Sequence, residues 1–521
     1  MSAPPTSLEA AAAEGRVITW FATTDPDRLA VVSESTTLTY AQIDARVNQL
    51  VRYLRAAGLG VDDAIAIVAP NSPEWVEVYA AAQRAGLRVT PVNWHLALDE
   101  ARYIIEDCGA RAVVMHGELT ELVPAATAVP VRLAIGPAVE GWVDYEGALA
   151  GHAGEPIDAP VRGTIMLYTS GTTGRPKGVS RPRTDGVATL TEARFSGYLP
   201  GAVHLVTGPM YHTAPLMLSL NTPLHGGATL VLMDQWDAAE ALRLIGEHRV
   251  THTHMVPTMF HRLLALPDDV RAAADTSTLL AVIHGAAPCP VHVKQRLLDW
   301  LGPVVWEYYG ATEGAATLVD PKTWLRKPGT VGKPEPADHV IVGDDDAVPL
   351  PAGTAGSVWI KSNPAERFVY HGDPAKTEGA YRGEYFTLGD VGYLDEDGYL
   401  FLTDRSAHLI VSGGVNIYPA EVDAVLLEHP AVGDAATIGV PDDEWGESVL
   451  AVVEVAAGTG PSDALAVELV EFCRSRLATF KCPREVAFVE RLPRQDNGKV
   501  AKHKLRDEYR AARGSAPDYA R

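Results

Sequence analysis

The chain has 521 residues, with 44 Lys+Arg against 66 Asp+Glu and a formal charge of −22. Hydrophobic residues make up 47% and charged residues 21%, which excludes a disordered or fibrous chain and leaves ample material for a core. The acidic balance argues against nucleic acid or an anionic membrane as partner, because both demand a positive footprint.

Length alone suggests three or four domain-sized units. The four cysteines, Cys108, Cys289, Cys473 and Cys482, form no C-x-x-C pair and no zinc-ligand spacing, so a reduced cytoplasm is expected. The first residues lack the basic region of a signal peptide, and no stretch reaches the ~18 apolar residues of a membrane helix. Neither secretion nor membrane insertion is expected.

Strand and helix signals alternate over the first 400 residues. The apolar run 64–69 reads as a buried strand. Asn71, Ser72 and Pro73 then supply a cap and a first-turn proline. The run 75–85 reads as an amphipathic helix, and Gly86 offers its stop. Strand 89–92, helix 98–107 and strand 112–115 follow. The cycle returns as strand 229–233 and helix 238–248, then strand 279–284, helix 291–301 and strand 304–308. Short buried strands alternating with helices predict parallel sheets covered on both faces.

From Gly329 to Phe401 the texture changes to short strands and Gly/Pro/Asp turns, including a hairpin at Asp395–Gly398. This predicts a small antiparallel or barrel-like unit. Beyond Asp404 comes a compact α+β segment with apolar sets at 422–427, 449–455 and 465–477. The expected boundary divides the chain into 1–404 and 405–521.

The strongest chemical signal is the run Tyr168-Thr169-Ser170-Gly171-Thr172-Thr173-Gly174-Arg175-Pro176-Lys177-Gly178. Glycines let backbone N–H groups turn inward as an anion nest, hydroxyls add donors, and Lys177 adds charge. Such a loop suits a triphosphate. It is not a Walker A motif, because Gly178 follows Lys177 where Ser or Thr would stand.

This run resembles the phosphate loop of the adenylate-forming superfamily, which includes acyl-CoA synthetases, luciferases and peptide-synthetase adenylation domains. Further motifs stand in that family's order: Met210–Pro215, Gly285–Pro288, Tyr308–Glu313, Leu388–Asp390, Arg405, Ser412–Gly414, Leu492–Arg494 and Asn497–Lys499. The resemblance implies an α/β fold. A large N-terminal domain of parallel sheets, helices and a small β-barrel would carry a small mobile α+β C-terminal domain.

The resemblance also implies ATP, Mg²⁺ and coenzyme A as cosubstrates and cofactor. Thr169, Ser170, Gly171, Thr172, Thr173, Gly174 and Lys177 would cradle the phosphates. Thr312 would bond the α-phosphate and Glu313 would hold Mg²⁺, a hard ion that prefers oxygen. Tyr309 would stack on adenine, with Gly285, Ala286, Ala287, Glu307, Tyr308, Gly310 and Ala311 around the nucleotide. Asp390 would take the ribose hydroxyls and Arg405 the ribose or phosphate. Lys499 would bridge the substrate carboxylate and the α-phosphate, where two anions are forced together.

The small domain of coenzyme A ligases in this family turns after adenylation and opens a thiol path, here beside Gly413 and Gly414. The hinge position, often Asp or Lys, is Ala407, and His408 follows it. This departure keeps a second reading open, an enzyme that adenylates and hands its acyl-AMP to a partner enzyme or carrier protein. A light-producing oxygenase and a non-catalytic nucleotide sensor are the other readings; the full set Lys177, Glu313, Asp390, Arg405 and Lys499 speaks against the sensor. A homodimer stays open.

For the acid, His212 is a candidate gate. Val256, Gly310 and Ala311, with Met210, Met217, Met259 and Ala286, are apolar or small and suggest a roomy pocket for a bulky or fatty carboxylic acid. The stretch 211–217 has no acid to pair an amino group, which disfavours an α-amino acid. The overall charge is divided. Between 470 and 521 there are thirteen basic and seven acidic residues, so a basic end bearing Lys499 faces an acidic body.

Overall fold

The computed structural model describes residues 4–169, 176–405, 409–412, 415–442, 445–495 and 498–512. Four sheets organise them. The first has eight strands around Ala64–Val68, whose neighbours Arg88–Pro91 and Ala110–His116 run parallel to it. At its far side Thr164–Thr169 turns back as the antiparallel strand Lys177–Ser180, against which Val369–Tyr370 lies.

The second sheet also has eight strands. Val203–Val206, His252–Met255, Ala281–His284 and Val305–Ala311 lie side by side and parallel. Their C-terminal ends therefore open on one edge. Gly314–Val319 returns antiparallel from the last of them.

The helix Pro73–Ala85 shows how sequence and packing meet. Ser72 caps it by accepting from the Trp75 amide, Pro73 sits at its first turn, and Gly86 ends it at φ 77°, the left-handed region that glycine enters freely. The sequence predicts these ends and an amphipathic body. Instead nearly every side of the helix is buried. Its Trp75, Val78 and Tyr79 share one apolar cluster with Ile65 and Val114 of the first sheet and Val206 and Leu230 of the second. A helix wedged between two sheets has no solvent face to make polar.

The third sheet, 340–405, is antiparallel as expected, and its pairing is that of an open sheet. Its long strand Tyr385–Leu394 pairs with Leu400–Arg405 across the hairpin. The fourth sheet begins at Ile410–Ser412 and is built on the ladder of Val432–Asp442 with Gly446–Val455. Its helix Asp463–Arg474 packs on that ladder through Leu465, Leu469 and Cys473. No helix among the described residues is long and apolar enough to cross a membrane.

Candidate active site

The phosphate loop leaves the first sheet between Thr169 and Lys177, which are register partners on the two strands. Lys177 thus stands at the mouth of the loop. Ser170, Gly171, Thr172, Thr173 and Gly174 lie outside the described residues.

Thr312 and Glu313 follow the strand Val305–Ala311, at the tip of the turn into Gly314–Val319. The hydroxyls of Thr312 and Thr213 are 2.6 Å apart, so two motifs a hundred residues apart in sequence meet here. The Tyr370 hydroxyl donates to Glu313 Oε1 at 3.1 Å, and the Arg181 guanidinium donates to the Glu313 carbonyl.

One residue missed by the sequence reading joins this cluster. Lys376, on the short helix Pro374–Gly379, lies with Nζ 4.8 Å from the Tyr370 ring. Burial and the neighbouring Lys177 ammonium push its pKa down to about 8. The Lys376 and Lys177 ammonium groups thus lie together, with Glu313 nearby. Lysine is scarce in this chain, eleven against 33 arginines, but scarcity alone does not single out Lys376.

On the adenosine side, Gly285 and Ala286 follow the strand Ala281–His284. A Cβ at Gly285 would come within 2.5 Å of Tyr308 Cε1 and 2.7 Å of the Tyr308 carbonyl oxygen, so only glycine fits. Ala286 has φ 67°, a left-handed conformation that costs an alanine about 1 kcal/mol or more. The Tyr309 hydroxyl donates to Asp390 Oδ2 at 2.7 Å, and Asp390 is the register partner of Arg405. The proposed stacking ring and ribose carboxylate are therefore one hydrogen-bonded unit. Ala287 and Gly310 stay half-buried beside it, as does Ala311.

Glu307 departs from its expected role beside adenine. It lies in register with His284 and turns to the opposite face of the sheet from Tyr308. There its carboxylate takes Lys294 Nζ at 2.7 Å. Lys294 is fully buried with its ammonium 4.7 Å from the Trp324 ring. Burial pushes the Glu307 carboxyl up and Lys294 opposes it. Alternation along the strand puts Glu307 on the same face as Tyr309 and opposite Tyr308; what occupies its carboxylate is the pairing with Lys294.

Lys499 comes from the C-terminal unit. Its carbonyl accepts from the Gln495 amide at 2.8 Å, and the Gly498 amide donates to the Gln495 carbonyl at 2.8 Å. Gly498 has φ 81°, and a Cβ there would lie 2.8 Å from Thr258 Oγ1 and 3.0 Å from Val256 Cγ2. The Lys499 loop thus packs directly on the segment that leaves the strand His252–Met255. Arg494 secures it from behind, with Nε donating to Asp434 Oδ2 at 2.7 Å and a second bond to the Gly498 carbonyl.

The family model for an AMP-binding enzyme matches residues 18–367, and that for the AMP-binding enzyme C-terminal domain matches residues 421–499. The chain belongs to the AMP-binding enzyme family, the adenylate-forming ligases. This ligase is 35% identical over 491 residues to a feruloyl-CoA synthase of an Amycolatopsis species, covering 93% of this chain and 96% of the relative. It is 32% identical to the fatty acid–[acyl-carrier-protein] ligase ScoC of Streptomyces coeruleorubidus, over 93% of this chain and 94% of that one. ATP-bound MatB from Rhodopseudomonas palustris superposes with a TM-score of 0.83 at 30% identity, covering 96% of the ligase and 99% of MatB.

His212 lies beside Tyr211, ring centroids 4.8 Å apart, in the loop that carries Thr213. Met210 and Met259 belong to two apolar clusters. Ala407, Gly413 and Gly414 lie outside the described residues, as do Asp496 and Asn497, the latter the first residue of the motif Asn497–Lys499.

Proposed function

We propose that the protein joins a carboxylic acid to coenzyme A at the expense of ATP, through an acyl-adenylate, releasing AMP and pyrophosphate. The observation that carries this reading is the docking of the Lys499 loop on Val256 and Thr258, at the same sheet edge that presents Thr312, Glu313 and Gly285. That is an arrangement for the first half-reaction.

In that step a carboxylate oxygen attacks the α-phosphorus, and the bond to the bridging oxygen breaks as pyrophosphate leaves. The chain has little covalent work to do; it holds two anions in line and offsets their charge. Lys499 spans carboxylate and α-phosphate. Thr312 and Thr213 offer hydroxyls to the α-phosphate, and Lys177 with Lys376 takes the leaving pyrophosphate. Tyr309 and Asp390 hold adenine and ribose, with Arg405 on the next strand.

Mg²⁺ fits the oxygen donors present. Among the described residues no group of three or more His, Cys, Asp or Glu gathers to hold a metal, so Glu313 would share the ion with phosphate oxygens, as Mg²⁺ prefers at nucleotide sites. Bound there, it would neutralise phosphate charge.

In the second step the thiol sulfur of coenzyme A attacks the acyl carbon and AMP departs. We place the turn of the small domain between Arg405 and Ile410, where the third sheet ends and the fourth begins. The hinge alanine and the likeness to a carrier-protein ligase favour one competing reading, transfer of the acyl group to a carrier thiol. Pyrophosphate exchange over a panel of carboxylic acids, followed by thioester formation with coenzyme A or with a carrier protein, tests both. Fast thioester formation dependent on coenzyme A is expected. Exchange without it would favour the carrier.

A further inference from the structure

The helix Leu98–Asp107 ends against its own preference. Its last turn carries Glu106 and Asp107 and no basic residue, although a carboxylate at the negative end of a helix is disfavoured. Asp107 is half-buried there. What meets it comes from two segments distant in sequence.

The first is the strand that leads into the phosphate loop. The Tyr168 hydroxyl donates to Asp107 Oδ2 at 2.5 Å. Burial and the bond to Asp107 push the Tyr168 pKa up, so the phenol stays protonated. A hydroxyl donating to a carboxylate makes a short, strong bond. Tyr168 is the register partner of Gly178, and the next pair along is Thr169 with Lys177. The bond therefore lies one residue from the two strand ends that hold the loop.

The second is the strand Val369–Tyr370 with the residue that follows it. The His371 amide donates to the Gly178 carbonyl at 2.7 Å, and its ring Nε2 donates to the Asp107 carbonyl at 3.0 Å. A Cβ at Gly178 would lie 3.1 Å from His371 Cβ and 3.2 Å from Tyr168 Cζ, so these segments close tightly on one point. His371 adjoins Tyr370, whose hydroxyl reaches Glu313 at 3.1 Å and whose ring lies 4.8 Å from Lys376 Nζ.

One residue thus touches both halves of the phosphate side. The Asp107 carboxylate fixes the strand that ends beside Lys177. Its carbonyl fixes the segment that carries Tyr370 and leads to Lys376. The Lys177 and Lys376 ammonium groups lie close enough to repel, and like charges separate unless the backbone behind them is held. A brace at Asp107 holds it from the side away from the ligand.

Resting on the ligase reading above, we propose that Asp107 is a positioning residue for adenylation, acting through Tyr168 on Lys177 and through His371 on Tyr370 and Lys376. It sets the place of the pyrophosphate moiety of ATP. The acyl-adenylate carries no pyrophosphate, so the second half-reaction does not draw on this brace.

The test compares the two half-reactions in Asp107→Ala, Tyr168→Phe, the double variant and Asp107→Asn. ATP–pyrophosphate exchange with the best acid of a panel reads the first step. Thioester formation from that acid's preformed adenylate, with coenzyme A or a carrier protein, reads the second. Asp107→Ala and Tyr168→Phe should each lower kcat/KM for ATP about tenfold and raise the KM for pyrophosphate. The double variant should lose no more than the worse single one, because both remove the same bond. Asp107→Asn keeps an oxygen acceptor and should recover most of the loss. Transfer from the preformed adenylate should be unchanged in all four. His371→Leu should also raise the KM for pyrophosphate and spare transfer; an unchanged KM would overturn the His371 arm.

Equal losses in both half-reactions would overturn the proposal, as would additive losses in the double variant or wild-type exchange in folded Asp107→Ala. Melting temperatures check the fold. Should Asp107→Ala not fold, Tyr168→Phe decides the same point by the same two readings. Wild-type enzyme that exchanges no carboxylic acid would instead overturn the ligase reading, and this inference with it.

Discussion

The second sheet buries its charged and its neutral polar groups in opposite ways. On one face Lys294, Glu307 and Trp324 form a closed unit, with ammonium, carboxylate and ring within 2.7 and 4.7 Å of one another. The buried imidazoles are left short of partners: His204 and His254, on the other face, each keep one ring nitrogen without a hydrogen bond, and His284, beside Glu307, keeps both. The difference teaches that burial alone does not mark a working residue. A paired charge has spent its interactions inside the fold, whereas a neutral imidazole can be buried on either face with a ring nitrogen unmet.

Breaking the closed face should have the largest effect, and it should fall on stability. Lys294→Met leaves the Glu307 carboxylate buried without its partner, which costs about 3–5 kcal/mol in typical cases. Chemical denaturation measures it. The double variant Lys294→Met/Glu307→Leu should recover most of the loss; if the single variant is as stable as wild type, the pair is not structural.

The next effect falls on chemistry and spares the fold. Lys499→Ala should slow acyl-adenylate formation by on the order of 10²-fold or more, read by pyrophosphate exchange, with an unchanged melting temperature. Exchange within a few-fold of wild type would remove Lys499 from the mechanism.

A smaller loss is expected from the loop that carries it. Gly498→Ala brings a methyl against Thr258 at 2.8 Å and strains a backbone at φ 81°. The loop must back away from the sheet edge, and a 1 Å displacement of a catalytic group can cost up to 10²-fold. About tenfold is expected in the adenylation rate, with the subsequent transfer from preformed acyl-adenylate less affected. Equal losses in both steps would show that the contact matters in more than the adenylating arrangement.

The smallest effect is a pH dependence. The Lys376 pKa, lowered to about 8 by burial and Lys177, means that the free enzyme loses this charge as pH rises through about 8. kcat/KM for ATP should therefore fall by a few-fold between roughly pH 7 and 9, since that parameter follows free-enzyme ionisations. Lys376→Arg, whose charge persists, should flatten the fall. A profile identical in wild type and variant would exclude Lys376 from the pyrophosphate side.

The legibility of the molecule was uneven for physical reasons. Helix ends such as Ser72, Pro73 and Gly86 were readable because capping and left-handed turns depend on a few neighbouring residues. The alternation of strands and helices predicted parallel sheets, and the texture change after Gly329 marked the antiparallel unit. The motifs Thr169–Lys177 and Tyr308–Glu313 were readable because anion binding and close backbone approach restrict residue types. Lys376 was not, since its meaning depends on a strand pairing between Val369–Tyr370 and Lys177–Ser180 that joins segments nearly two hundred residues apart. The pairing of Glu307 was not legible because a motif gives order along the chain, while its partner Lys294 comes from a helix packed against the strand.

By itself, the sequence determined the class of fold and the family, and it named the candidate phosphate loop and nucleotide residues, because all of these rest on local backbone chemistry. Only the tertiary structure decided which buried polar groups are spent and which are free. That Lys294 closes on Glu307, that His254 and Tyr308 share the other face, and that Gly498 seats Lys499 on Val256 follow from register and packing between distant strands. Those contacts depend on the summed geometry of the whole core, to which no short stretch of sequence has access.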